Sequence, residues 1–160
     1  MELISDLLEQ VPALRPLDRE HRETVAGCGS NRVFAAGEHV MREGEPADTF
    51  YVIRRGSVAI ETFVPRQGAV TIETLHDGDL LGWSWLVPPY STTFDARALT
   101  ETHAIAFDGA CLRRKLDADP ALGYVLLRMF AAVIVERLQG TRIRLLDVYG
   151  KSEGGRAAGG

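Results

Sequence analysis

The stretch 34-FAAGEHVMREGEPADTFYVIRRGSVAIETF-63 decides how the rest of the chain is read. Its apolar runs, Phe50-Tyr51-Val52-Ile53 and Val58-Ala59-Ile60, are mostly β-branched or aromatic, and such residues suit a pleated, buried surface. Gly37, Gly44 and Gly56 fall between these runs, where tight turns between strands call for positive φ. The two-residue period of a strand then places Tyr51, Ile53 and Val58 on one side of a sheet.

Toward the C-terminus the same cadence continues through 69-AVTIETL-75 and 94-FDARALTETHAIAF-107, with turn signals at Gly68 and Gly78. Short strands punctuated in this way predict an all-β barrel or sandwich.

Helical patterns lie on both flanks. Leu3, Ile4, Leu7 and Leu8 follow helical spacing until Pro12 and Pro16 interrupt it. Asp18 is placed to cap a second helix, Arg19 to Ala26, with Glu20 and Glu23 early, where the dipole favours acids. Beyond Phe107, Cys111 to Leu116 reads as a short helical turn, and Asp119 with Pro120 opens a long helix expected to reach about Val148. Along it Leu122, Val125, Met129, Ala132, Glu136, Gln139, Ile143 and Leu146 alternate steps of three and four, the pattern of a coiled-coil seam. Leu127, Phe130, Ile134, Leu138, Leu145 and Val148 form a second apolar stripe. One stripe can cover the barrel while the other meets a second copy, so a homodimer is expected. The organisation expected is 1–118 as the β domain with its N-terminal helices, 119–149 as the pairing helix, and 150–160 as a flexible glycine-rich tail.

Composition narrows the function classes. At 160 residues, 46% hydrophobic and 25% charged, the chain suits one globular domain. A net charge of -4 offers no positive surface to phosphates, so no nucleic-acid partner is expected. Cys28 and Cys111 lack a CxxC spacing and nearby histidines, and read as buried thiols in a reducing compartment. The first residues lack a basic n-region and no apolar run approaches membrane-spanning length, which points to a cytoplasmic protein without a membrane partner. His21, His39, His76 and His103 are scattered, so neither metal nor cofactor is expected. Ser84 lacks the strand-to-helix setting of a nucleophile elbow, and the chain is read as not an enzyme. Arg113, Arg114 and Lys115 read as a solvated helix face able to meet a partner's acids.

The spacing of Phe34, Gly37, Val40, Gly44, Tyr51, Ile53, Gly56 and Val58 resembles the first half of the cyclic nucleotide-binding domain. That domain is shared by bacterial catabolite activator proteins, kinase regulatory subunits and gated channels. The segments 77-DGDLLGWSWL-86 and 94-FDARALT-100 resemble the family's phosphate-binding cassette and the strand leaving it, and 137-RLQGT-141 resembles part of the dimer helix of the catabolite activator branch. The resemblance implies a mainly β fold with flanking helices, a double-stranded β-helix (a jelly-roll-like β-roll), followed by a long C-terminal dimerisation helix. In the cassette Gly82 would let the backbone approach an anion, and a short helix beginning near Trp83 would aim free N–H groups at a cyclic phosphate, with Ser84 adding a hydroxyl. Ordinary cyclic AMP binders carry a glutamate after the glycine and an arginine later in the cassette. This chain has Trp83 and Thr92 at those places. A lost hydrogen bond to a charged group costs roughly 1.5–3 kcal/mol, so phosphate binding would weaken by about one to two decades. Thr92 and Thr93 remain as neutral donors, Arg97 and Arg32 as distant cations, and Trp83, Trp85 and Tyr90 either stack on a flat ligand or fill the pocket themselves. Thr141 matches the place where the dimer helix touches the base. The transcription-factor branch continues into a winged helix where this sequence turns glycine-rich, a second reason to expect no DNA binding. Two classes of function follow. The reading preferred from sequence is a stand-alone sensor of a small ligand, weak for cyclic AMP, that signals to a protein partner; the alternative is a ligand-free dimeric interaction module whose cassette is filled by its own aromatics.

Overall fold

The computed structural model describes residues 2–157, with side chains to 150. Helices α1 (Ile4–Glu9) and α2 (Arg19–Ala26) flank a single 3-10 turn at Pro12–Leu14. Eight strands follow: β1 (Gly29–Phe34), β2 (His39–Met41), β3 (Thr49–Arg55), β4 (Val58–Val64), β5 (Gly68–Leu75), β6 (Leu80–Leu81), β7 (Asp95–Ala98) and β8 (Thr102–Asp108). Helices α3 (Gly109–Ala118) and α4 (Pro120–Ala157) close the chain. The expected caps are present. Asp18 accepts a hydrogen bond from the His21 amide at 2.8 Å, and Asp119 accepts one from Leu122 at 3.3 Å.

The strands form two four-stranded antiparallel sheets, ordered β1-β8-β3-β6 and β2-β7-β4-β5. Gly37, Gly44, Gly56, Gly68 and Gly78 all adopt positive φ at the turns. Gly56 is the most constrained, because a Cβ there would lie 2.6 Å from the Thr102 hydroxyl oxygen. Alternation along β3 and β8 creates two cores. Tyr51 and Ile53 of β3 and Ala104 and Ala106 of β8 face the space between the sheets, where they meet Phe34, Val58, Ile60, Leu75, Leu81 and Phe94. Phe50 and Val52, with Ile105 and Phe107, face outward and are covered by Leu8, Leu14, Val25, Leu112, Leu122, Leu126 and Phe130 of the helices. The first sheet is thus buried on both faces, which is why its central strands read as continuous apolar runs.

Three expectations need correction. Cys28 and Cys111 are not free thiols: they are joined in a disulfide across 83 residues. The antiparallel pairing of β1 with β8 sets Gly29 opposite Phe107, so Cys28 arrives beside Asp108 and the first turn of α3. With it falls the cysteine argument for a reducing compartment. The stripes of α4 also divide differently. Leu122 and Met129, assigned to the partner seam, are buried against this chain's own barrel together with Leu126 and Phe130. The exposed face instead carries Tyr124, Leu127, Ile134, Leu138, Leu145 and Val148. Finally, α4 continues past Val148 to Ala157, so 150–157 of the expected flexible tail is helical, while 158–160 lie outside the described residues. Among the described residues no helix is long and apolar enough to cross a membrane.

Candidate functional site

The cassette occupies the connection between β6 and β7. Gly82 opens it at φ +95°, with Met41 Cε only 2.8 Å from where a Cβ would stand. Its glycine character therefore admits the Met41 thioether. After Gly82 the backbone turns but no helix begins at Trp83, contrary to expectation; Leu86 N–H bonds the Trp83 carbonyl at 3.1 Å and turns and bends continue to Pro89. The helix-terminus anion site is therefore not formed.

The two tryptophans part company. Trp83 is half-buried at the barrel edge, its ring edge-to-face with Phe94 at 6.1 Å and covered by the Arg137 guanidinium at 5.2 Å. Trp85 is fully buried in the helical core, stacked on Phe50 at 5.0 Å and edge-to-face with Phe130 at 5.5 Å. Its indole Nε1 has no hydrogen-bond partner among the described residues, and its carbonyl accepts from Arg113 at 2.7 Å. Trp85 thus serves the core and is not presented to a ligand between the sheets. Arg113 also lies over the Tyr90 ring at 4.4 Å, and Tyr90 itself adopts φ +53°.

Thr92 is buried and pinned by its backbone to the β2–β3 loop: its N–H donates to Glu45 O at 2.9 Å and its carbonyl accepts from Gly44 at 2.8 Å. Thr93 is exposed. Ser84 is half-buried and has no hydrogen-bond partner among the described residues. Thr141 is exposed, and its hydroxyl donates to the Arg137 carbonyl at 2.9 Å, a bond internal to α4. Of the expected site residues, Gly82 is buried at the start of the cassette, Trp83 and Ser84 are half-buried after it, Thr92 is buried and Thr93 exposed near its end, while Trp85 lies in the helical core and Thr141 on the exposed part of α4.

Of the two proposed rescue cations Arg97 is committed to an ion pair, whereas Arg32 is exposed. Arg97 forms two hydrogen bonds with buried Glu61, at 2.8 and 3.1 Å, and these raise its pKa. Arg32 stacks over Phe34 at 5.3 Å. The basic run of α3 is mostly structural as well: Lys115 donates to Thr24 O at 2.8 Å, Arg113 is engaged at Trp85, and Arg114 alone of the three is exposed. Besides Arg113, a second cation reaches the cassette: Arg137, which sequence reasoning did not single out, lies over Trp83. It donates to the Leu80 carbonyl and lies 3.9 Å from the Glu73 carboxylate. Burial pushes its pKa down, opposed by Glu73, Asp79 and Glu136. The available signal was positional, since Arg137 continues the barrel-facing row of Leu126, Phe130 and Val133. No group of three or more potential metal ligands is present among the described residues.

The cyclic nucleotide-binding domain model matches residues 31–119, more than half of the chain. The chain belongs to the cyclic nucleotide-binding domain family. A protein from Geobacter metallireducens GS-15 described as cyclic nucleotide-binding is similar at 27% identity and TM-score 0.75, over 86% of this chain and 99% of that one. The N-terminal domain of a transcriptional regulator from Streptomyces coelicolor A3(2) shares 27% identity at TM-score 0.68, over 82% of this chain and 94% of that one. The regulatory subunit of a cAMP-independent protein kinase A from Trypanosoma cruzi, bound to guanosine, shares the fold at 20% identity and TM-score 0.59, over 79% and 49%. No curated protein matches.

Proposed function

We propose that this chain is a non-catalytic regulatory module of the cyclic nucleotide-binding family whose cassette is shut by its own side chains, and that it acts as a helix-paired dimer on a protein partner. The observation that carries this reading is Trp83, held between Phe94 and Arg137 where cyclic AMP binders place an acid. The nearby arginines support it: Arg97 is committed to Glu61, Arg113 to the Trp85 carbonyl and Arg137 to Leu80 and Glu73. At Gly82, where a phosphate would approach the backbone, the Met41 side chain already lies close. The sensor reading keeps one observation in its favour, the unpartnered Ser84.

Calorimetric titration of the full chain with cyclic AMP and cyclic GMP separates the two. The shut cassette is expected to give no saturable heat. Binding with Kd of about 10 μM or tighter, near −7 kcal/mol, would establish the sensor and remove the proposal.

A further inference from the structure

We propose that a cavity between the N-terminal helices and the end of β3, outside the cassette, binds a free apolar α-amino acid. Its volume is about 540 Å³, a size that suits a small molecule.

An irregularity in β3 makes the site. Ile53 pairs with Ala104 and Arg55 with His103, so Arg54 and Arg55 together oppose a single residue of β8. A bulge of this kind interrupts the alternation of a strand and re-aims its side chains. Two consecutive arginines accordingly line one cavity, and both are exposed. Arg54 has no hydrogen-bond or ion-pair partner among the described residues, and Arg55 meets the His103 ring at 3.4 Å but no carboxylate. Two guanidinium groups in this state suit the carboxylate of a ligand, which they grip through paired N–H donors.

The cavity is not simply cationic. Asp77, between β5 and β6, also lines it; one carboxylate oxygen accepts from the Gly56 amide at 2.9 Å, and the other has no partner among the described residues. That oxygen is left for an ammonium group. Glu2, the second acid of the cavity, is engaged by Gln10 at 2.9 Å. The rest of the lining is apolar, from Leu7, Val11 and Pro12 with Ile105 of β8. A carboxylate, an ammonium and an apolar side chain are the three parts of an apolar amino acid, and the lining supplies a counterpart to each. Gly82 to Tyr90 take no part, so the site stands whether the cassette is shut or open.

Amide NMR shifts of the full chain, titrated with leucine, isocaproate (leucine without its ammonium) and isoamylamine (leucine without its carboxylate), test this. Leucine is expected to give saturable shifts at Leu7, Val11, Arg54, Arg55, Gly78 and His103 and none at Gly82 to Leu86, with each truncated probe binding at least about tenfold more weakly. Arg54→Gln with Arg55→Gln should abolish the advantage of leucine over the amine. Asp77→Asn, which keeps an oxygen to accept from Gly56, should abolish its advantage over the acid. Arg66→Gln, at the turn between β4 and β5, should change neither. The site is overturned by any one of four results: no saturable shift with leucine, shifts centred on the cassette, a truncated probe that binds the parent as well as leucine, or a selectivity that its variant leaves intact or that Arg66→Gln removes equally. Because cassette amides are read apart from those of the cavity, failure of the closed-cassette reading and failure of this site are distinguished.

Discussion

At the scale of single residues, burial is what tunes the chemistry of this molecule. Tyr51 is 7% exposed between the sheets, edge-to-face with Phe34 at 5.7 Å. Desolvation raises its phenol pKa, with Asp48 and Glu45 adding to the effect and Arg32 opposing it. The unfolded chain releases this proton near pH 10, before the folded one does. Stability carried by Tyr51 is therefore complete below about pH 10 and is lost as the pH rises from there through the folded value. Tyr51→Phe keeps the ring and removes the proton, so urea midpoints for the variant should decline less between about pH 9.5 and 11 than those of the parent. Parallel decline in both would show that Tyr51 does not titrate in this window. Single residues also show where sequence reading stops. Trp83 and Trp85 look equivalent in the string 82-GWSWL-86, yet one edges the barrel and the other fills the helical core. Two residues apart in a turn is no guide to facing, because neither the strand nor the helix period applies.

Elements were legible wherever local chemistry specified them. The glycine turns, the Asp18 and Asp119 caps and the strands of the β domain follow from turn geometry, orphan amide satisfaction and β-branched runs. The covalent tie between elements was not legible. The Cys28–Cys111 bond joins the entry of β1 to the first turn of α3, and its closeness depends on β1 lying beside β8. Closing 83 residues removes enough freedom from the unfolded chain to be worth about 4–5 kcal/mol. Cys28→Ser with Cys111→Ser should lower the melting temperature by roughly 10 °C or more, and reductant should lower the parent toward the variant while leaving the variant unmoved. A parent insensitive to reductant and equal in stability to the variant would show that the bond makes no contribution.

For the whole molecule the open question is what covers α4. Tyr124, Leu127, Ala131, Ile134, Leu138, Thr141, Leu145 and Val148 are exposed and separated by alternating steps of three and four, the spacing of a two-stranded seam. Ile134→Glu with Leu138→Glu is expected to give folded monomers by light scattering with an unchanged β spectrum. Persistence of the parent's dimer would place the interface elsewhere, and a parent that is itself monomeric would remove the pairing. Charging Met129 instead should unfold the chain, since it is buried in the core. Periodicity by itself established that α4 has two apolar stripes and that the β domain is punctuated by glycine turns, because both follow from repeat lengths intrinsic to helix and strand. The resemblance to cyclic nucleotide-binding domains, and not periodicity, marked Trp83 and Thr92 as standing where cyclic AMP binders carry an acid and an arginine. Which stripe faces the barrel, which tryptophan enters the helical core, that Arg137 lies over the other and that the cysteines meet were decided only by the tertiary structure. Each depends on surfaces brought together from distant parts of the chain, and a linear pattern carries the period of a surface without naming what lies against it.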